Sequence, residues 1–146
     1  MIACGRQKAG GLAELWQDYA ARIPGGIDLV EIDVRGKPAG ATRTEESRRV
    51  LEAVPAGARL VALDRTGRTL DSRGFADHLS AWRDQGVAVT AFAIGGADGH
   101  EAEVLARADL VLAFGAMTFP HLLARVMLAE QLWRAYAIRT GHPYHH

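Results

Sequence analysis

"VAVTAFAIGG", Val87 to Gly96, is the longest β-rich apolar run in the chain. A run without polar alternation describes a strand covered on both faces, as strands are in parallel sheets sandwiched between helices. Upstream, "ARLVALD" (58–64) is a second continuous apolar strand. "RTGRTLDS" (65–72) reads as a turn leading into a capped helix, "FADHLSAWRDQG", which closes on Gly86. Downstream, "HEAEVLARA" is a short helix and "DLVLAF" a final strand. Towards the N-terminus, "MIAC" is a short strand, and "GLAELWQDYAAR" places Leu12, Leu15, Trp16 and Tyr19 at helical spacing. "IDLVEIDV" alternates as a strand and "VRGKPAGATR" is a Gly/Pro/basic loop, expected to be mobile. "TEESRRVLEAV" is a helix capped by Thr44, with Ser47, Val50, Leu51 and Val54 on one side. Strands alternating with helices predict an α/β fold with a mostly parallel sheet flanked by helices.

The 146 residues fit a single domain spanning 1–146. Seventeen basic residues balance seventeen acidic ones, so no general electrostatic grip on DNA or RNA is built in. A nucleic-acid partner would have to be recognised by shape or within a larger assembly. The lone Cys4 excludes an intramolecular disulfide and fits a reducing compartment. No apolar run approaches the roughly 20 residues of a membrane span, and no signal pattern opens the chain. The expectation is a cytoplasmic protein with no membrane partner.

The last helix, from Phe119 to about Ile138, is apolar around nearly its whole circumference through Leu122, Leu123, Val126, Met127, Leu128, Leu132, Trp133, Tyr136 and Ile138. A helix apolar all round must be covered all round, and so small a chain supplies few other helices to surround it. This predicts a symmetric homodimer centred on the helix. Glu130 and Arg134, four apart with the acid first, form a favourable helical pair.

Two glycine-rich loops, "IGGADG" (94–99) and "FGAMTFPH" (114–121), follow the last two strands. Ligands of open parallel sheets bind beyond the carboxyl ends of strands, where glycines let backbone groups approach them closely. Neither loop is a dinucleotide fingerprint or a phosphate loop, and spacing alone leaves plain turns as an alternative. Met117 and Phe119 are apolar residues within the second loop, Pro120 suits the first turn of the helix, and Thr118 can cap it. Apolar side chains beside free backbone groups suit an adenine ring, with Leu63 as one wall; filling the core is the alternative. The tail "RTGHPYHH" admits three readings: a metal site using the His142/His145 spacing with His121, base recognition by Tyr144 and the histidines, or a solvated tail in which His146 is a tag remnant. The metal reading is disfavoured because the histidines lie on a Pro-containing tail without carboxylate or cysteine company. His78, His100 and Cys4 read as structural residues.

Taken together, "FAIGGADG", "GAMTFPHLLARVMLAEQLWRAYAI" and "TGHPYHH" resemble the RlmH family, small SPOUT-class methyltransferases of large-subunit ribosomal RNA. The match runs from Ile94 to His145, with Trp133 where many relatives carry Tyr, and the remaining elements agree in order. Relatives place several residues ahead of the segment matching "IACG", and Arg or Lys at the position of His146. The resemblance implies a SPOUT fold with a deep C-terminal trefoil knot, an exception to the rule against threaded chains. It implies S-adenosyl-L-methionine as methyl donor, without a metal, held by Leu63, Gly95, Phe114, Gly115, Ala116, Met117, Thr118 and Phe119. It further implies a homodimer with the active site at the interface, acting on N3 of a pseudouridine in 23S ribosomal RNA within the ribosome.

On that footing Tyr144 and His145 are expected to close over a flipped pseudouridine. His121 or His145 is the candidate base for the N3 proton, and Arg134 the stabiliser of charge developing on the uracil carbonyls. The competing readings are another SPOUT RNA methyltransferase, against which the "HPYH" tail argues, and a non-catalytic ribosome-binding factor on the same fold. A nicotinamide-dependent oxidoreductase lacks its fingerprint.

Overall fold

A computed structural model describes residues 1–36 and 38–145, so the expectations for Lys37 and His146 lie outside the described residues. Five strands form one sheet: β1 (Ile2–Cys4), β2 (Val30–Ile32), β3 (Arg59–Thr69), β4 (Thr90–Ile94) and β5 (Leu110–Ala113). Their order is β2-β1-β4-β3-β5 and every pairing is parallel. Of the apolar run Val87 to Gly96 only Thr90–Ile94 forms β4, with Val89 exposed ahead of it; Ala91, Phe92, Ala93 and Ile94 are all buried, as expected of a strand near the centre of a parallel sheet.

Alternation along the strands sorts the core into two layers. Ala3, Val61, Phe92, Ile94, Leu110 and Leu112 face one side, where they pack with α3 (Ser72–Asp84) and α5 (His121–Thr140). Ile2, Cys4, Leu60, Ala62, Ala91 and Ala93 face the other, against Val50 of α2 (Ala39–Ala53) and Val104 of α4 (Ala102–Arg107). α1 (Gly11–Arg22) packs alongside α5. Among the described residues, no helix is long and apolar enough to cross a membrane.

Five expectations need correction. α2 begins at Ala39 with Pro38 at its N-cap, so half of the expected loop is helical. Thr44 is interior to that helix: its hydroxyl donates to the Gly40 carbonyl and also lies 3.1 Å from the Glu101 carboxylate, while Arg43 binds Glu101 with two contacts of 2.9 Å. β3 does not end at a turn near Arg65. It loops out over residues 64–67 and resumes, so that both Leu63 and Arg68 pair with Leu112. Thr118 does not cap α5, whose N-cap is Pro120 and carries no side-chain cap bond. Finally, α1 and α3 of the same chain already flank α5, and every residue from Leu122 to Ile138 is buried or half-buried without a second subunit. The premise that one chain has too few helices to cover this one therefore fails.

What sets α5 on the sheet is a buried arginine. Arg125 is fully buried; one guanidinium nitrogen donates to Glu31 Oε1 at 2.6 Å, and another to the carbonyls of Cys4 (2.9 Å) and Gly5 (2.5 Å). Glu31 also accepts the Gln7 N–H at 2.7 Å. Burial pushes the Glu31 carboxyl up, but these hydrogen bonds and the Arg125 charge outweigh it and hold the group below its usual range. Arg125→Met strips these acceptors of their donor and is expected to cost about 3–5 kcal/mol, the usual consequence of breaking a buried pair from one side. Urea unfolding measures it; a loss below about 1 kcal/mol would show that the contacts are not limiting.

Candidate active site

Because β4, β3 and β5 are adjacent and parallel, the loops leaving their carboxyl ends meet on one edge of the sheet. They enclose a cavity of about 680 Å³, within the usual size range of small-molecule sites. Leu63, Gly95, Phe114, Gly115, Met117, Thr118 and Phe119 all line it; of the eight residues marked from the sequence, only Ala116 does not. Sequence reasoning passed over Asp64 and Asp98, which add acidic walls, and His121 stands at the rim of α5. Asp64 accepts both the N–H (2.8 Å) and the hydroxyl (2.6 Å) of Thr66; these bonds overcome burial and keep its carboxyl below the usual range.

Gly95 shows why this wall is glycine. A Cβ there would sit 2.8 Å from the Gly99 carbonyl carbon, so the loop could not close through its Gly96–Gly99 bridge. His121 lies over Gly5, where a Cβ would come within 2.9 Å of His121 Nε2 and where φ is +83°. Burial, and secondly the Arg125 charge, lower the pKa of His121, so the imidazole is neutral at neutral pH and able to accept a proton.

The other candidates gather at the far end of α5. Gly141 ends the helix in the left-handed conformation, and the His142 N–H returns to the Ala137 carbonyl at 2.9 Å. The tail therefore folds back onto the helix. Arg134 Nε donates to Glu130 Oε1 at 2.9 Å, the Tyr144 hydroxyl donates to the same oxygen at 3.0 Å, and Arg134 Nη1 lies 3.4 Å from His145 Nδ1. The Arg134 guanidinium also stands 4.9 Å from the Tyr144 ring centre. Burial, then hydrogen bonding with Tyr19 and Glu130, raises the Tyr144 phenol well above its ordinary value. Trp133 receives Tyr144 on one side and His142 edge-on at 5.0 Å. His142 is thus exposed but edge-on to Trp133, and His145 lies against Arg134; among the described residues no three potential metal ligands cluster.

Within one chain the four catalytic candidates do not meet. His121 and Arg134 are separated by about 20 Å along α5 at the usual helical rise. His121 belongs to the loop cavity, and Arg134, Tyr144 and His145 form a second cluster.

The sequence that builds this cavity has known relatives. A family model described as "Predicted SPOUT methyltransferase" matches residues 1–145, and the chain belongs to that family of methyltransferases. Within it, the chain groups with proteins named Ribosomal RNA large subunit methyltransferase H. It is 48% identical over 146 residues to the one from Paramagnetospirillum magneticum and 49% identical over 146 residues to that from Rhodospirillum centenum, each alignment covering 99% of this chain and 96% of the relative. The counterpart from Nitrobacter hamburgensis is 46% identical over 154 residues, with the same coverage.

Three imidazoles share a direction of shift that can be tested. Burial lowers the pKa of His78, His100 and His121 below the ordinary 6.5. The unfolded chain therefore takes up protons first as pH falls through about 6.5, and the stability present above that value declines towards the folded-state values. Unfolding midpoints are expected to drop between about pH 7.5 and 5.5, and His100→Leu to flatten that slope, because His100 is the most buried of the three. An unflattened slope would mean that folded His100 binds its proton as readily as the unfolded chain does.

Proposed function

We propose that this protein transfers a methyl group from S-adenosyl-L-methionine to N3 of a pseudouridine in 23S ribosomal RNA of the assembled large subunit, in the cytoplasm. The observation that carries the reading is the convergence of Leu63, Gly95 and the 114–119 loop on one cavity, in a chain similar over its length to proteins named as ribosomal RNA methyltransferases.

The cavity fits that donor. Leu63, Phe114, Met117 and Phe119 offer apolar surface to a purine, the glycine loop leaves backbone groups approachable, and Asp64 and Asp98 suit a ligand with cationic groups. Bound there, the donor supplies an electrophilic methyl on a sulfonium. The protein's part is alignment and proton removal. His121 or His145 takes the N3 proton, Arg134 faces the negative charge that develops on the uracil carbonyls, and Tyr144 packs on the base.

The working form in this reading is a homodimer. A two-fold arrangement of antiparallel α5 helices brings the Arg134/Tyr144/His145 end of one chain beside the loop cavity of its partner. The 39% and 43% exposure of Leu12 and Leu15 on α1, next to α5, supports an apolar contact face there. We also read the C-terminal segment as a trefoil knot, a reading supported by the family to which the chain belongs. With a net charge of zero, docking falls to the shape of the assembled ribosome.

Mass spectrometry of 23S ribosomal RNA from cells with and without the gene tests the activity. One methyl on one pseudouridine is expected to disappear and to return with the wild-type gene; an unchanged map would leave a ribosome-binding factor as the better reading. In purified protein, Arg134→Ala and Tyr144→Phe are expected to slow methylation by roughly 10²-fold or more with donor affinity nearly intact. Gly95→Ala should instead abolish donor binding in calorimetry. Equal loss of binding and methylation in all three variants would refute this division of roles.

A further inference from the structure

We propose that Ser72 and Gln131 are a positioning pair that fixes the Glu130 carboxylate, and through it Arg134 and Tyr144, for methyl transfer; the inference rests on the function proposed above. Neighbouring side chains on a helix diverge, so contact between Glu130 and Gln131 is not supplied by helical geometry. Here the Gln131 amide nevertheless turns back and donates to Glu130 Oε2 at 2.7 Å, while its own oxygen accepts the Ser72 hydroxyl at 2.8 Å. An amide so held has a single orientation, with nitrogen towards the acid and oxygen towards the serine.

The anchor is rigid. Ser72 is the first residue of α3, directly after Asp71, whose carboxylate caps the helix by accepting the Gly74 N–H at 2.7 Å. With Oε2 engaged by Gln131, Glu130 presents Oε1 to both Arg134 and the Tyr144 hydroxyl. Ser72, Glu130 and Gln131 line a second cavity of about 560 Å³, and Phe114 is shared between that cavity and the first. The chain of hydrogen bonds thus runs from beside the donor loops to the folded-back tail, through residues with no other evident chemical task.

Two readouts on the full-length protein decide the matter. Gln131→Met keeps length and removes the hydrogen bonds, and Ser72→Ala removes the anchor. Both are expected to lower kcat on large ribosomal subunits lacking the methyl group by roughly tenfold to a hundredfold, the scale of small misplacements in a preorganised site. Donor affinity and the melting temperature should stay near wild type, and Ser72→Thr, which retains the hydroxyl, should recover the rate. Hydrogen exchange of the tail peptide 139–145 should quicken in Gln131→Met and Ser72→Ala but not in Ser72→Thr. Unchanged kcat, or lowered kcat with unchanged tail exchange, would overturn the proposal, as would parallel losses of kcat, donor affinity and melting temperature. If the wild-type protein methylates nothing, the functional reading fails by itself, and the exchange measurement still shows whether the pair holds the tail.

Discussion

The guanidinium of Arg125 fixes the relation between the sheet and the helix on which both candidate clusters depend. It reaches β1 through the carbonyls of Cys4 and Gly5, and β2 through Glu31, from a position one turn into α5. Buried ion pairs are poor sources of net stability, because desolvation offsets much of the attraction. What this one supplies is placement: an apolar side chain could slide along the sheet edge, whereas three acceptors at fixed positions admit one register of the helix. That register lays His121 over Gly5 and Ala124 against the loop cavity.

The same sheet edge collects groups whose ionisation is shaped by one another. Cys4, beneath the loops, has its thiol pushed up to about 12 by burial and then by Glu46, so it is a protonated, unreactive packing residue. Glu46 is itself raised, first by burial and then by Asp98 and Asp33, and its carboxylate fills the space where a Cβ on Gly96 would sit. The glycine loop is therefore wedged between the Gly99 backbone and an acid, which gives it a defined shape without side chains of its own.

Much of this was legible in the sequence because it follows from local pattern. The unbroken apolar run of β4, the heptad-like spacing in α1 and the glycine closing α3 each reflect forces acting within a few residues. The loop residues other than Ala116 also line one cavity, since strands in parallel must deliver their carboxyl ends to one edge. The misreadings arose where tertiary partners override local preference. Thr44 and Thr118 are good capping residues, but α2 is extended by Arg43 binding Glu101 across the chain, and α5 starts after a proline that leaves Thr118 to the cavity. β3 outran its turn because its second half pairs with β5. Arg125 gave no signal, being one charged residue within an apolar helix, and such residues usually point to solvent.

The length of α5 carries the final step. Its twenty residues hold the rim of the loop cavity at one end and the Glu130–Arg134–Tyr144 cluster at the other, too far apart for a single substrate atom to meet both. A helix is stiff over this distance, and Arg125 pins its first half, so bending cannot bring the ends together in one chain. The dimer proposed above answers this separation by taking one cluster from each of two chains. In a two-fold assembly the stiffness becomes an advantage, since the span that separates the clusters within a chain sets their alignment between chains, and one well-placed helix serves two sites at once.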